Sequence, residues 1–348
     1  MKEMHNLKSG YSKILFIRRD NIGDLVCTTP SIHAVREKYH GAKVGILVNT
    51  YNADAISNNP DIDEVYIYEK AKHAPDKSKF SVWLNNLRVL QKIRKERYDV
   101  AIGCGAYSPR LARYTLFTGA KTRIGYIKMG MKKSGFYNKP LYEPEKALHE
   151  VEKTFKLLSP IGINGKPSGL RVFPEPNEVN KVRNFLSSLS LQNEKPVIAF
   201  HISSRRPENR WPVERFAELA NLISANYSAN IILLWSPGSK KNVYHPGDDE
   251  NAEILKNSIK PEPAAYKTTS VGGLIAALSV SGLVVCCDGG AMHIAAALEK
   301  PIVTIWGSTN PDNWAPWKAR HILLKKDRDA SSVSVENAFT AVSTLLKQ

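Results

Sequence analysis

A glycine turn late in the chain has the residue types that bind phosphate. Residues 283–287 are apolar, Asp288, Gly289 and Gly290 follow, and residues 291–297 favour a helix. A strand that enters a helix through glycines leaves unpaired backbone N–H groups at the positive end of that helix, where an anion binds. The glycines let a phosphate come close to the backbone. The same pattern also fits an ordinary strand–helix unit of a parallel sheet, so both interpretations stay open.

A second polar segment follows the apolar run at residues 197–201. It contains two hydroxyls, Ser203 and Ser204, and three arginines, of which Arg210 directly precedes Trp211. Hydroxyls, backbone N–H groups and guanidinium groups are suited to a diphosphate. An exposed basic loop is the alternative, and we expect Trp211 to be a packing residue.

An acid follows the first apolar run of the chain. Residues 13–17 predict a strand buried on both faces, and Asp24 comes just before a predicted helix at 25–39. A carboxylate there caps the helix. Alternatively, it acts as a general base that takes the proton of an attacking hydroxyl. The sequence leaves both roles open, and the cations of Arg18 and Arg19 favour ionised carboxylates nearby.

Short apolar runs alternate with helical patterns in both halves of the chain, which predicts α/β architecture with two doubly wound parallel sheets. The predicted strands are 13–17, 44–48, 65–68, 100–104, 197–201, 231–235, 283–287 and 302–306. The predicted helices are 25–39, 51–57, 80–97, 148–158, 177–189, 214–226, 271–279 and 333–346. We place one domain at 1–170, a second at 171–330 and a terminal helix at 331–348, which we expect to pack back on the first domain. Ligands of such sheets bind at the carboxyl ends of the strands.

The composition is that of a globular protein. The chain has 348 residues, of which 43% are hydrophobic and 24% charged, and this length suits two domains. It has no run of roughly 18 apolar residues, and the polar residues 1–10 lead us to expect a cytoplasmic protein. Its four cysteines have no zinc-binding spacing, so we expect free thiols.

The net charge of +16 is unevenly distributed. Residues 1–175 contain 30 Lys and Arg against 17 Asp and Glu, whereas residues 176–348 contain 19 against 16. The first half therefore favours an acidic partner. No nucleic-acid-binding motif is present, so we expect no nucleic acid. Basic clusters at 70–79 and 121–139 are interpreted either as solvated loops or as a docking surface.

Three motifs occur in order along the chain: Asn21-Ile22-Gly23-Asp24 followed by Thr28-Thr29-Pro30, then Arg210-Trp211-Pro212, then Asp288-Gly289-Gly290 through His293 to Gly307-Ser308-Thr309. Together they resemble glycosyltransferase family 9, the lipopolysaccharide heptosyltransferases. The resemblance implies the GT-B fold, in which two Rossmann-like domains face each other across a cleft. It also implies an inverting, metal-independent transfer from a nucleotide sugar, typically ADP-L-glycero-D-manno-heptose, without a cofactor.

The same resemblance implies roles for individual residues. Asp24 matches the catalytic base. The donor-binding positions are Ser203, Ser204, Arg210, Asp288, Gly289, Gly290, Ala291 and His293. The positive charge of the first half, rather than the resemblance, leads us to expect an acceptor site at Arg18, Arg19, Lys72, Arg123 and Lys128, which would hold an anionic glycolipid, a lipopolysaccharide core precursor, at the cytoplasmic leaflet of the inner membrane. His293 has a second interpretation, as a residue facing the core.

The chain departs from the family pattern at two places. Gly289 stands where relatives often have a hydroxyl, and residues 236–240 lack the acid that often holds the ribose. A different sugar or nucleotide, or a non-catalytic sugar-nucleotide-binding module, are therefore alternatives. A nicotinamide-dependent enzyme is disfavoured, because Gly103-Cys104-Gly105 is an incomplete dinucleotide fingerprint. We interpret Asp61-Ile62-Asp63 as turn residues rather than metal ligands.

Overall fold

A computed structural model of the chain describes residues 10–70, 78–131, 135–189, 195–241 and 246–347. It divides into two compact units. The first unit comprises Met1–Asp20, Thr28–Ala53 and Pro60–Ser168, and the second comprises Asn21–Cys27, Asp54–Asn59 and Gly169–Gln348. The sequence did not indicate that residues 21–27, which include Asp24, pack with the second unit.

The first unit is built on a six-stranded parallel sheet. Its strands are β1 (Lys13–Ile17), β2 (Lys43–Asn49), β3 (Glu64–Tyr68), β4 (Val100–Gly103), β5 (Thr122–Ile127) and β6 (Lys139–Tyr142). The helices of this part of the chain are α1 (Ile22–Val26), α2 (Thr29–Lys38), α3 (Lys79–Glu96), α4 (Pro109–Phe117) and α5 (Glu150–Lys156). The strand order is β3-β2-β1-β4-β5-β6.

The second unit repeats this arrangement with a second six-stranded parallel sheet. Its strands are β7 (Val197–His201), β8 (Asn230–Trp235), β9 (Ala264–Lys267), β10 (Leu283–Cys287), β11 (Ile302–Ile305) and β12 (His321–Leu324). Its helices are α6 (Pro176–Ser188), α7 (Val213–Asn226), α8 (Asp249–Ser258), α9 (Val271–Ser279), α10 (Gly290–Ala297), α11 (Pro311–Trp314) and α12 (Val335–Leu346).

The two sheets share one topology. Counted from its own first strand, each has the order 3-2-1-4-5-6, which is the Rossmann order. The order reverses between β1 and β4 in the first sheet and between β7 and β10 in the second. Ligands of this fold bind outside the carboxyl ends of the strands at that reversal. The segments that follow β7 and β10 therefore lie where a ligand of the second unit is expected.

The cores explain why the central strands were predictable. Ile14, Leu15, Phe16 and Ile17 of β1 are fully buried, because a central strand of a parallel sheet is covered on both faces. The helices bury only one face each. In α7 the buried residues recur at helical spacing and pack into the core of the second unit: Phe216, Leu219, Ala220 and Ile223.

The terminal helix belongs to the second unit. Helix α12 packs on α7 and on strands β10, β11 and β12 of that unit. Its apolar face explains this, since Ala338, Ala341, Val342 and Leu345 belong to the second core. Trp211 supports the same packing, because its Nε1 donates to the Val333 carbonyl 2.9 Å away. Its role as a packing residue is confirmed.

The predicted helix at 25–39 is two helices. Helix α1 ends at Val26 and α2 begins at Thr29, with Pro30 in its first turn. Proline has no N–H and cannot continue the hydrogen bonds of a helix through this point, so the chain restarts there. All four cysteines are buried free thiols, as predicted. Among the described residues, no helix is both long and apolar enough to cross a membrane.

Candidate functional site

A buried carboxylate holds the arginine that precedes Trp211. Nη1 of Arg210 donates to Oδ1 of Asp248 over 2.6 Å. The Ser203 hydroxyl donates to Oδ2 of Asp248 over 2.6 Å, and the Asn251 amide donates to Oδ1 over 2.8 Å. Asp248 is buried, whereas the Arg210 side chain is 20% exposed. The ion pair therefore fixes a guanidinium group that remains partly accessible to a ligand.

Asp248 was missed by the sequence analysis. It lies 13 positions beyond the end of β8, yet its N–H donates to the Ser236 carbonyl over 3.0 Å. Gly247 makes this approach possible, because a Cβ there would lie 2.1 Å from the Gly238 carbonyl oxygen. Only a sequence without a side chain at 247 lets Asp248 reach the loop after β8, and nothing local in the sequence indicates that contact.

The side chain of the neighbouring Asp249 also contacts the loop after β8. Its Oδ1 accepts a hydrogen bond from Trp235 Nε1 over 2.8 Å, and its Oδ2 accepts one from the Gly238 N–H over 3.1 Å. These two bonds, with the Lys267 ammonium, hold the pKa of Asp249 below its usual range despite an opposing effect of burial. The loop after β8 therefore has carboxylates beside it, although residues 236–240 contain none.

Three polar loops meet beside β10. Asn209 Nδ2 donates to Asp288 Oδ2 over 2.9 Å and to the Thr309 hydroxyl over 2.8 Å, and Thr309 donates to the same carboxylate over 2.7 Å. Gly307 allows this contact, because a Cβ there would lie 1.8 Å from the carbonyl oxygen of Glu208. The Asp288 carboxylate therefore joins the loops after β7, β10 and β11.

The charge around Asp288 is predominantly positive. Burial raises the pKa of Asp288, and this effect outweighs the Thr309 hydrogen bond and the cations of Arg206, Arg205 and Lys325, which all lower it. Three cations thus act on the carboxylate that begins the glycine turn. An anionic ligand at this turn would be attracted by the same cations.

The start of α10 has the geometry predicted for an anion site. Gly289 occupies the N-cap position in an extended conformation, and no side chain of the described residues caps the helix. The space beside Gly289 is open, since no atom lies within 4 Å of a Cβ built there. Because the first N–H groups of a helix have no partner within it, those of Gly290, Ala291 and the next residue are suited to phosphate oxygens.

Helix α1 packs on α10 within the second unit. A Cβ at Gly290 would lie 3.2 Å from the Cβ of Ile22, and a Cβ at Gly23 would lie 2.5 Å from Cδ2 of His293. The Cys27 sulfur and His293 Nδ1 are 3.6 Å apart. His293 is therefore buried against α1, which favours the core interpretation over direct contact with a donor. Gly23 is required because the imidazole fills the space of its side chain.

Asp24 is the third residue of α1, and its carboxylate contacts the residue that precedes the helix. The N–H and the side-chain amide of Asn21 donate to Oδ2 of Asp24 over 3.2 and 3.0 Å. Arg205 Nη1 in turn donates to the Asn21 Oδ1 over 2.8 Å. The helix-capping role of Asp24 is thus present, and it orients the carboxylate without excluding a role as a base. Arg205 therefore connects the loop after β7 to Asn21, the residue that donates to this carboxylate.

The two serines expected at the donor site have protein partners. Ser203 Oγ donates to Asp248 and accepts the Ser236 N–H over 2.9 Å. Ser204 Oγ donates to the backbone carbonyl of Asp288 over 3.0 Å. Both serines are buried. Their hydroxyls therefore hold the loops in place rather than presenting donors to a ligand.

Two arginines expected to bind an acceptor are buried in the first unit. Arg18 pairs with Glu150 over 2.8 Å. Arg19 donates to the Tyr68 hydroxyl over 2.9 Å, and its guanidinium lies 4.4 Å and 4.0 Å from the ring centroids of Tyr68 and Tyr114. Neither presents its charge to solvent, so the expectation of direct acceptor contact is corrected for both. The guanidinium groups of Arg18 and Arg19 instead bind Glu150 and Tyr68 inside the first unit.

The remaining acceptor residues differ from one another. Arg123 is partly exposed, and its guanidinium donates to the carbonyls of Phe136 and Ala120 over 2.8 and 2.9 Å. Lys128 is exposed. Lys72 lies outside the described residues. Of the acceptor residues that the structure describes, Lys128 is the one whose charge lies fully at the surface.

The acidic pair at 61–63 is part of a turn, as predicted. Asp61 pairs with His33 over 3.0 Å, and Asp63 Oδ2 accepts the Val44 N–H over 2.7 Å and pairs with Arg36 over 2.6 Å. Within the described ranges, no group of three or more His, Cys, Asp or Glu residues is arranged to hold a metal ion.

His201 at the end of β7 makes stability depend on pH. It is buried, its two ring nitrogens have no hydrogen-bond partner among the described residues, and burial lowers its pKa from 6.5 to about 4. The unfolded chain therefore takes up a proton first as the pH falls. We expect the free energy of unfolding to decrease from pH 6.5 to pH 4 by up to about 3 kcal/mol from this residue.

Urea unfolding of the wild type and of His201→Leu, at neutral pH and near pH 4, measures this contribution. The variant should lose less stability across that interval, because leucine does not titrate. Asp248 and Arg210 act on His201 in opposite directions, the first raising its pKa and the second lowering it. An equal loss in both proteins would contradict the assignment.

Two Rossmann-like units with a glycine turn beside β10 are the architecture of the GT-B glycosyltransferases. The family model for glycosyltransferase family 9 (heptosyltransferase) matches residues 86–341. The chain belongs to this family and is a glycosyltransferase. The match begins after Asp24, so the assignment of that residue rests on its own motif and its surroundings.

Characterised relatives and solved structures agree with this assignment. Lipopolysaccharide heptosyltransferase 3 of Escherichia coli is 23% identical over 94% of this chain and 96% of its own length, and lipopolysaccharide heptosyltransferase 2 of the same organism is 25% identical over 90% and 88%. A family 9 glycosyltransferase from Veillonella parvula has a TM-score of 0.82, with 22% identity over 97% of this chain and 98% of its own. An E. coli heptosyltransferase solved with ADP has a TM-score of 0.70, with 18% identity over 96% and 98%.

Proposed function

We propose that this protein transfers heptose from ADP-L-glycero-D-manno-heptose to an inner-core acceptor of lipopolysaccharide, with inversion and without a metal ion. The observation that carries the proposal is the packing of α1 on α10, through Gly23 and His293. It joins the helix that bears Asp24 to the helix whose N-terminus is suited to a diphosphate. A base and a leaving-group site on two packed helices are what a direct displacement at a sugar carbon needs.

The donor is held by positive charge that the chain itself supplies. Helix α10 begins beside the open space at Gly289, and no side chain of the described residues caps it, while Arg210 is fixed by Asp248. The relatives are named as lipopolysaccharide heptosyltransferases, and one solved neighbour was determined with ADP, which favours an ADP-sugar. A hydroxyl at position 289 is not needed if the backbone N–H groups at the start of α10 bind the diphosphate of the donor.

The reaction is a single displacement. The acceptor hydroxyl oxygen bonds to the anomeric carbon as the bond from that carbon to the diphosphate oxygen breaks. Asp24 takes the hydroxyl proton. The negative charge that develops on the diphosphate is stabilised by the start of α10 and by Arg210, which are in place before the reaction. These fixed charges would do the work that a divalent cation does in other transferases.

The acceptor is proposed to be an anionic glycolipid at the cytoplasmic leaflet of the inner membrane. The first half of the chain holds most of the excess positive charge, +13 of +16, and Lys128 is exposed there. Basic residues near an anionic leaflet add roughly 1 kcal/mol each to attachment. The protein would then act in the cytoplasm, peripherally bound to that membrane.

A panel of nucleotide sugars tests the donor. We expect the purified protein to be stabilised thermally by ADP-heptose more than by UDP-, GDP- or CDP-sugars, and to form product with it in the presence of a chelator. Preference for another nucleotide sugar would indicate that the protein transfers a different sugar to another glycan of the envelope. Donor binding without product on any acceptor would favour the non-catalytic module.

A further inference from the structure

Helix α3 of the first unit carries an exposed apolar stripe. Phe80, Trp83 and Leu87 are 67%, 57% and 37% exposed. Their spacing of three and four places them on one face of the helix, and the rings of Phe80 and Trp83 are stacked with centroids 6.0 Å apart. Large apolar side chains grouped on a surface are a sign of an interaction site.

The stripe lies opposite the face that holds α3 in the fold. Val82 and Ile93 are the buried residues of the helix, and Val89 packs against the core of the first unit beside β1 and β4. These three positions recur at helical spacing and are enough to dock the helix. Phe80 and Trp83 are thus not needed for packing, and their exposure is not explained by the first unit itself.

Positive charge surrounds the stripe. Lys79, Arg88 and Lys95 are exposed on the same helix, which has no acidic residue before Glu96. Glu96 itself pairs with Lys13 over 3.0 Å. Towards the other end of the helix, Arg94 Nη1 donates to the carbonyl of Phe117, whose own side chain is 50% exposed. The apolar and basic surface therefore continues from α3 to the end of α4.

We propose that this stripe attaches the protein to an anionic lipid bilayer, with the aromatic rings in the headgroup region and the basic side chains against lipid phosphates. Aromatic and basic residues on one helix face are typical of helices that lie in a membrane interface. A second copy of this chain is the less suitable occupant, because a symmetric contact would bring the same lysines and arginines against each other. The proposal deepens the proposed function, since a lipid-anchored acceptor would then lie on the surface that binds the enzyme.

Vesicle cosedimentation of the full chain, without any sugar donor, tests the attachment. The wild type should bind vesicles of phosphatidylglycerol and phosphatidylcholine, bind phosphatidylcholine alone far less, and release at high salt. The double variant Phe80→Ser, Trp83→Ser should bind at least about tenfold more weakly. Ile254→Ser is the matched control, because it removes an exposed apolar side chain from α8 in the second unit, and it should bind like the wild type.

Tryptophan emission identifies the inserted ring. The emission of the wild type should move to shorter wavelength when anionic vesicles are added, and Trp83→Phe should bind while losing most of that shift. The thermal transition of the double variant should match that of the wild type, which shows that the loss of binding is not a loss of fold. Equal vesicle binding by the double variant and the wild type would overturn the proposal. So would a change from dimer to monomer in the double variant, because the stripe would then be an interface between copies.

Failure of the attachment and failure of the proposed function are distinguishable. A protein that binds anionic vesicles but transfers no heptose to a deacylated core acceptor would refute the proposed function and leave the attachment standing. A protein that transfers heptose to that acceptor and binds no vesicles would refute the attachment alone. In the double variant, transfer to the deacylated acceptor should stay at the wild-type rate.

Discussion

Replacing Asp24 by Asn should lower kcat by roughly 10²–10⁴-fold, the range that a general base contributes, and leave donor affinity largely unchanged. The amide keeps an oxygen where Oδ2 accepts the two hydrogen bonds from Asn21. It therefore preserves the helix cap and removes only the ability to take a proton. Steady-state kinetics with a core acceptor, together with ADP binding by calorimetry, measure the two effects separately.

Two further variants separate the base from the cap. Asn21→Ala removes the side-chain amide that donates to Asp24 and accepts from Arg205 but keeps the backbone N–H, so it should reduce stability by about 1 kcal/mol and lower kcat less than Asp24→Asn does. Asp24→Ala removes both the base and the helix cap, so it should lower both kcat and the free energy of unfolding. The base assignment fails if Asp24→Asn turns over normally, or if Asn21→Ala lowers kcat as much as Asp24→Asn.

Most strands inside each sheet could be predicted, with the exception of β5, whereas of the four edge strands only β3 could be predicted and β6, β9 and β12 could not. Strands β1, β7 and β10 are continuous apolar runs because both of their faces are covered. Strand β12 has only partly buried residues, and β6 contains Pro140 at an edge of the sheet. Strands β6 and β12 have weaker burial, so their sequences lack the apolar pattern that indicates a strand.

The sequence showed which residues carry charge near the strand ends but not which partners neutralise them. Arg18 follows β1, as predicted, yet Glu150 lies 132 positions away in the chain and neutralises it inside the first unit. His293 was equally ambiguous, because its place depends on the glycine at position 23, in a helix 270 positions earlier. A single sequence carries no signal for such pairs, since they depend on how distant elements pack.

Asp248 is the clearest case of a candidate functional residue that only the structure reveals, and its removal should have a large effect on both stability and donor binding. Asp248→Ala leaves Arg210 without its charge partner and frees the Ser203 hydroxyl. Breaking a fully buried ion pair from one side costs about 3–5 kcal/mol, and the Arg210 side chain left behind is 20% exposed, so water offsets part of that cost. We expect the free energy of unfolding, measured in urea, to fall by about 1–3 kcal/mol and the KM for the donor to rise.

A double-mutant cycle decides whether Asp248 acts through Arg210. Arg210→Met removes the charge and keeps an apolar chain of similar length. Combined with Asp248→Ala, it should restore much of the lost stability, because no unpaired buried charge remains, while donor binding stays weak. Asn251→Ala is the control, since it removes the other hydrogen bond to Oδ1 of Asp248 and leaves the ion pair intact. If the double variant recovered donor affinity along with stability, the guanidinium of Arg210 would have no part in holding the diphosphate.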